Sequence, residues 1–368
     1  MKRFYIMLLS GMIILLFNSC KKLFEEPDIH YIYTLPEPLS DGLDVADLSQ
    51  EGLRKDLIVQ MTNQINMDVY KNIHSVVIIK NNKLVYENYF NGYDRDMLHN
   101  LYSATKSFTS ALVGIAIDKG FIPDTNQKVL SYFPEYLPLK NDSPEKQNIT
   151  INHLLTMSSG LACNDWDPNS PGGEKMLYEK KDILKYLWDL PLTDTPGAAS
   201  MYCSGGVITL SNIISKATGQ TYTDFARSAL LEPLGITKHQ WNFREKNRTD
   251  RPDQIYLRTR DMAKFGMLFL NKGRWGNNQL ISERWVETSF QPKAKLNGKN
   301  YGFLWWIHTG TINNVPTNVY TASGNGGQFI YIIPNLNMVV AMTGGNVDSP
   351  YTSQGFSILY NYIIPANL

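Results

Sequence analysis

Two β-rich runs near the start of the chain and several more near its end bracket a helix-rich middle, and this constrains the fold more than any other feature. The runs His74–Lys80 and Lys83–Phe90 flank Asn81-Asn82, the composition of an antiparallel hairpin. Strand-like segments return at Tyr301–His308, Val319–Ala322, Gln328–Ile333 and Met338–Met342, and a closing helix is expected from about Ser353. Between them lie helical stretches separated by Pro/Gly-rich loops: Ile151–Met157, Lys181–Asp189, Val207–Thr218, Thr223–Leu231, Asp261–Asn271 and Ser282–Ser289. The expected fold class is therefore α+β. One antiparallel sheet, completed by distant parts of the chain, is flanked by helices and carries a mainly helical insertion at about 131–255.

The N-terminus is set apart from this fold. Lys2 and Arg3 precede an apolar run from Phe4 to Phe17, followed by Asn18-Ser19-Cys20. A basic start and an apolar stretch shorter than the ~20 residues of a spanning helix read as a secretory signal. A cysteine directly after a small residue resembles the bacterial lipobox, so Cys20 is the expected lipidation site; Phe17 and Asn18 depart from its commonest form. The expected organisation is a signal peptide at 1–19, a lipid-anchored tether and first helix (Leu53–Ile65) at 20–65, and a catalytic domain at 66–368. The expected location is the bacterial cell envelope, periplasmic or surface-facing.

Charge excludes one class of partner. The 35 basic and 34 acidic residues leave a formal net charge of +1. Such a balance sets up no long-range field for nucleic acid or anionic lipid. The expected contact with a membrane is through the lipid anchor only. The six histidines form no His-Glu-x-x-His and the cysteines no paired spacing, so neither a metal nor another cofactor is expected.

Ser103-Ala-Thr-Lys106 is a Ser-x-x-Lys at the start of an apolar helix closed by Gly120. Residues three apart share a helix face, so the amine can reach the hydroxyl. A serine needs a base to become a nucleophile. A lysine can be that base if burial lowers its pKa. The helix N-terminus adds N–H groups and partial positive charge for a developing oxyanion, which makes the Ser103 N–H a candidate donor. The plain alternative is an N-cap serine and an exposed lysine. About a hundred residues on, Tyr202-Cys203-Ser204 precedes a further helix and can aim a phenol and a small polar group at the Ser–Lys pair. A third element, Ser323-Gly324-Asn325-Gly326-Gly327, sits at a strand start where small residues permit close backbone approach; the Gly327 N–H is the second candidate oxyanion donor.

These three elements, in this order and spacing, resemble the serine β-lactamase and penicillin-binding-protein superfamily. Within it the chain is most similar to class C-like esterases, D-amino-acid peptidases and 6-aminohexanoate-dimer hydrolases. Matches also run through Ile149–Leu161, Glu232-Pro-Leu-Gly-Ile236, Arg260–Gly266 and Tyr301–Trp306, so the resemblance covers roughly 70 to 365. It implies a β-lactamase/transpeptidase-like fold, an acylated Ser103, Lys106 as its base and Tyr202 as proton carrier for leaving group and water. It also implies substrate contacts from Ser204, Asn325 and Gly326. Ser204 stands where class C enzymes carry asparagine, and Gly324-Asn325-Gly326 replaces Lys-Thr-Gly. Losing that cation points toward neutral esters or amides and away from β-lactams and peptide carboxylates. A D,D-carboxypeptidase or β-lactamase on the same fold, and a catalytically silent binding lipoprotein, are the competing readings. Cys163 and Cys203 flank segments that this reading brings together, and in an oxidising compartment they are an expected disulfide, the alternative being two separate buried thiols.

Overall fold

Hydrophobic side chains alternate along the central strands, so the sheet has two apolar faces and needs cover on both. The computed structural model describes residues 30–242, 254–312 and 315–367. The expected leader and Cys20 lie outside the described residues, as do residues 243–253.

The main sheet has nine strands: β1 (Asp44–Val45), β2 (Ile73–Lys80), β3 (Lys83–Tyr89), β4 (Ala294–Leu296), β5 (Lys299–Tyr301), β6 (Trp306–Ile312), β7 (Val315–Gly324), β8 (Gln328–Ile333) and β9 (Met338–Gly344). Their order is β1-β3-β2-β9-β8-β7-β6-β5-β4. All pairings are antiparallel except the short edge contact of β1 with β3. The central pair joins opposite ends of the chain, with Ile78 opposite Val340 and Val76 opposite Met342. The expected strand Tyr301–His308 is interrupted: residues 302–305 leave the sheet, with Leu304 at φ 60°. Trp305 from this break is fully buried among Phe265, Phe269 and Phe290.

Alternation decides which helices cover which face. Val76, Ile78, Tyr331, Val340 and Met342 face α1 (Lys55–Asn66), through Ile58, Met61 and Ile65, together with the C-terminal residues Ile358, Leu359 and Ile363. The first helix is thus part of the fold, and burial extends back to Leu43 and Leu48. Val77, Ile79, Ile330, Val339 and Ala341 face the larger core. That core holds α2 (Thr105–Asp118), α4 (Ser204–Thr218), α5 (Thr259–Leu270) and α6 (Glu283–Ser289); α3 (Glu174–Tyr178) belongs to the helical region beside it. Gly266 of α5 sits directly on the sheet: a Cβ there would lie 2.4 Å from Val339 Cγ1. A three-stranded sheet of His99–Asn100, Gln254–Leu257 and His239–Asn242 within the helical region was not signalled by the sequence.

Candidate active site

The helix that carries the candidate nucleophile is buried almost all round, from Thr105 to Ala116. Ser103 lies just before it, in a 3₁₀ turn spanning Tyr102–Ala104. Tyr102 takes φ 47°, a left-handed conformation unfavourable for a bulky residue. The Tyr102 N–H donates to Asn100 Oδ1 (2.9 Å), and the Leu101 N–H donates to Ile255 O (2.9 Å), which hold this turn against the small sheet. Across the cleft, β7 comes so close that a Cβ on Gly324 would stand 2.1 Å from Leu101 O. No side chain fits at 324 without moving backbone.

Lys106 Nζ donates to Ser103 Oγ at 3.0 Å, one helical turn away. The same amine lies 5.1 Å from the Tyr202 ring centroid. Tyr202 is held by two indoles: its ring stacks on Trp166 (5.0 Å between centroids, 9° between planes) and on Trp306 (6.1 Å, 18°). Of the Trp305-Trp306 pair, then, Trp305 is core and Trp306 borders the site. Cys163 and Cys203 form a disulfide that ties the loop before α3 to the Tyr202 segment. Ser103, Lys106, Tyr202, Ser204 and Asn325 all line one cleft of about 420 Å³.

Four findings depart from, or add to, the sequence reading. The first concerns Lys106. Burial pushes its pKa down, as expected, but the pull of Tyr202, Glu174 and Asp165 outweighs burial and leaves it above the usual lysine range. The second concerns Ser204, whose hydroxyl was expected to meet lysine or substrate. It donates instead to Asp165 Oδ2 (2.8 Å), and the Ser204 N–H donates to the same oxygen (2.7 Å), because Asp165 stands at the N-terminus of α4. The third concerns the glycine turn. Asn325 lines the cleft and pairs reciprocally with Asp348, its Nδ2 donating to Asp348 Oδ1 (2.7 Å) and its Oδ1 accepting from the Asp348 N–H (3.1 Å). Gly326 and Gly327 are not among the lining residues. Gly326 turns its N–H to Thr352 Oγ1 (2.8 Å) and its carbonyl to the Asn346 N–H (3.0 Å).

The fourth is a set of lining residues that carried no motif: Asp165, Trp166, Glu174 and Asp348. Among the described lining residues Lys106 is the only cation, against three carboxylates. One signal could have found Asp165. It lies two residues from Cys163, and pairing Cys163 with Cys203 places it beside Ser204. No group of three or more metal-ligating side chains occurs among the described residues.

A mostly antiparallel sheet covered by helices on both faces, with a half-buried serine one turn before a buried lysine at the start of a helix, is the arrangement of the serine β-lactamase class of fold. The chain belongs to the Beta-lactamase family, whose profile matches residues 74–349. It is 24% identical over 293 residues to the 6-aminohexanoate-dimer hydrolase of Paenarthrobacter ureafaciens, covering 72% of this chain and 70% of that protein. Among solved structures it resembles a family VIII carboxylesterase (TM-score 0.66, 14% identity, 88% of this chain and 98% of the other). It also resembles the octameric penicillin-binding protein homologue from Pyrococcus abyssi (TM-score 0.62, 19% identity, 83% and 77%). These structural likenesses show the fold, and the relatives are hydrolases of that fold.

Proposed function

We propose that this protein is a serine hydrolase that cleaves ester or amide bonds through an acyl-Ser103 intermediate. The observation that carries the reading is the 3.0 Å contact of Lys106 Nζ with Ser103 Oγ inside a cleft whose wall is Tyr202. Lys106, once it has given up a proton, is the proposed base, and Tyr202 beside it is the proposed proton carrier, so the two act as a pair. That pair takes the Ser103 proton as Oγ attacks the carbonyl carbon. It returns the proton to the leaving alkoxide or amine as the C–O or C–N bond breaks, and water then repeats the sequence on the acyl-enzyme. The Ser103 N–H is the proposed oxyanion donor; the Gly327 N–H, expected as the second, belongs to a residue that does not line the cleft.

The closure of Gly324 onto Leu101 O leaves no room there for a cationic side chain, and Lys106 is engaged with Ser103. Both features favour neutral acyl groups over carboxylate-bearing β-lactams or peptides. A fluorophosphonate probe should label Ser103 stoichiometrically, with turnover of p-nitrophenyl esters exceeding that of β-lactams. Folded protein that the probe leaves unmodified refutes the hydrolase reading and points to a silent binding protein. Preferred β-lactam turnover replaces the ester/amide reading with the β-lactamase one. We further propose anchoring through a lipid on Cys20, tested by loss of labelled-palmitate incorporation in Cys20→Ala.

A further inference from the structure

Asp165 makes contacts with both neighbours of Cys203, Tyr202 and Ser204. Its N–H donates to the Tyr202 carbonyl (2.9 Å), and its Oδ2 accepts both the N–H (2.7 Å) and the hydroxyl (2.8 Å) of Ser204. Its Oδ1 accepts the Glu174 N–H (3.0 Å) at the start of α3. The Cys163–Cys203 bond lies within two residues of it on one strand of the loop and between Tyr202 and Ser204 on the other. All three side-chain hydrogen bonds arrive from donors, as a carboxylate requires; burial raises the Asp165 pKa, and Lys106 and the Ser204 donors pull against that rise.

We propose that Asp165 is the positioning residue of this site: it fixes the Tyr202–Ser204 segment through Ser204, and its charge, in the same cleft, acts on the Lys106 amine. The inference rests on the serine-hydrolase reading above. Lys106 is faced by Ser103 from its own helical turn, by Tyr202 from the segment before α4, by Glu174 from α3 and by Asp165 from the loop between. Of the two carboxylates, Asp165 alone is bonded to both neighbours of Cys203, so position and charge arrive through one side chain. A sequence that carries serine where class C relatives carry asparagine thereby recruits a carboxylate behind it.

The test is the pH profile of kcat/KM on a neutral ester, read as the midpoint of its rise with pH. That rise reports loss of the proton that keeps Lys106 from acting as a base. Asp165→Asn keeps the shape and removes the charge. A negative charge holds the proton on Lys106, so its loss should move the midpoint down by about one pH unit, the scale of one charge several ångströms away in a partly solvated cleft. Ser204→Ala keeps the carboxylate and removes one of its donors, so the midpoint should stay or rise. An unmoved or raised midpoint in folded Asp165→Asn overturns the proposal, even if activity falls at every pH, because that is the signature of a merely structural cap. Should Asp165→Asn fail to fold, Ser204→Ala decides: a midpoint that falls overturns the proposal, and one that stays or rises supports it. Fluorophosphonate labelling of the wild type separates the two layers of inference. Absent labelling removes the hydrolase reading and this one with it, whereas labelling with an unmoved midpoint removes only Asp165.

Discussion

Replacing both disulfide cysteines, as Cys163→Ala/Cys203→Ala, removes a cross-link between residues 40 apart in sequence. In the chain-entropy treatment, closing a loop of that length lowers the entropy of the unfolded ensemble by about 13 cal/mol/K, or about 4 kcal/mol at 25 °C. The loop carries its own core residues, Leu177, Leu184, Leu187 and Trp188, all essentially unexposed. These cluster in the denatured chain as well, which reduces the entropy gained on cutting the bond, so a loss of about 2 to 4 kcal/mol is expected. Urea unfolding followed by tryptophan fluorescence measures it, and the slope with denaturant should rise slightly as the denatured state expands. Near the melting temperature the same loss corresponds to about 5 °C for a chain of this size. Reducing agent should bring the wild type to the variant's midpoint. A loss below about 1 kcal/mol, or a wild-type midpoint indifferent to reductant under unfolding conditions, refutes the reasoning.

Lys106→Ala should slow acylation of Ser103 by about a thousandfold, measured with a fluorophosphonate, while melting shifts little; full labelling rates would remove the lysine from the mechanism. Gly114→Ala should cost about 2 kcal/mol, since the added Cβ would lie 2.4 Å from Cδ1 of the buried Trp285. A gain of about 1 kcal/mol, the helix-propensity effect alone, would show that Trp285 moves freely. Burial lowers His99 to about 4, helped by His74, and lowers His308 to about 4, helped by Lys299. The unfolded chain therefore takes up protons first as pH falls from about 6.5 to 4, and stability should decline through that window. Urea midpoints at pH 7 and 5 check this: His99→Gln/His308→Gln should flatten the dependence, and an unchanged slope contradicts it.

The fold was legible where periodicity and local chemistry agree. The hairpin at 73–89 follows from two β-rich runs around Asn81-Asn82, both of which adopt positive φ, and the apolar helix ends at Gly120 with φ 76°. The break at 302–305 was not legible, because Phe303, Leu304 and Trp305 are as apolar as a strand and only packing takes them out of the sheet. At the site, Ser103 and Lys106 stood out through their spacing at the start of an apolar helix, and Tyr202 through the family resemblance. Asp165 did not, since its importance depends on a contact across 39 residues with Ser204. The charge of Lys106 was misread for the same reason: burial was foreseeable from the apolar helix, but the neighbours that outweigh it come from three other segments.

The pairing of β2 with β9 brings residues 73–80 against 338–344. A ribosome adding ~5–20 residues per second finishes the second of these roughly 13 to 50 s after the first. Throughout that interval the nascent hairpin exposes one open edge, Ile73–Lys80, and an apolar surface on each side. Non-local closure of this kind is slow even once the whole chain is available. Truncation anywhere before Met338 removes the partner of the innermost strand, so such fragments should aggregate rather than form a smaller version of the fold.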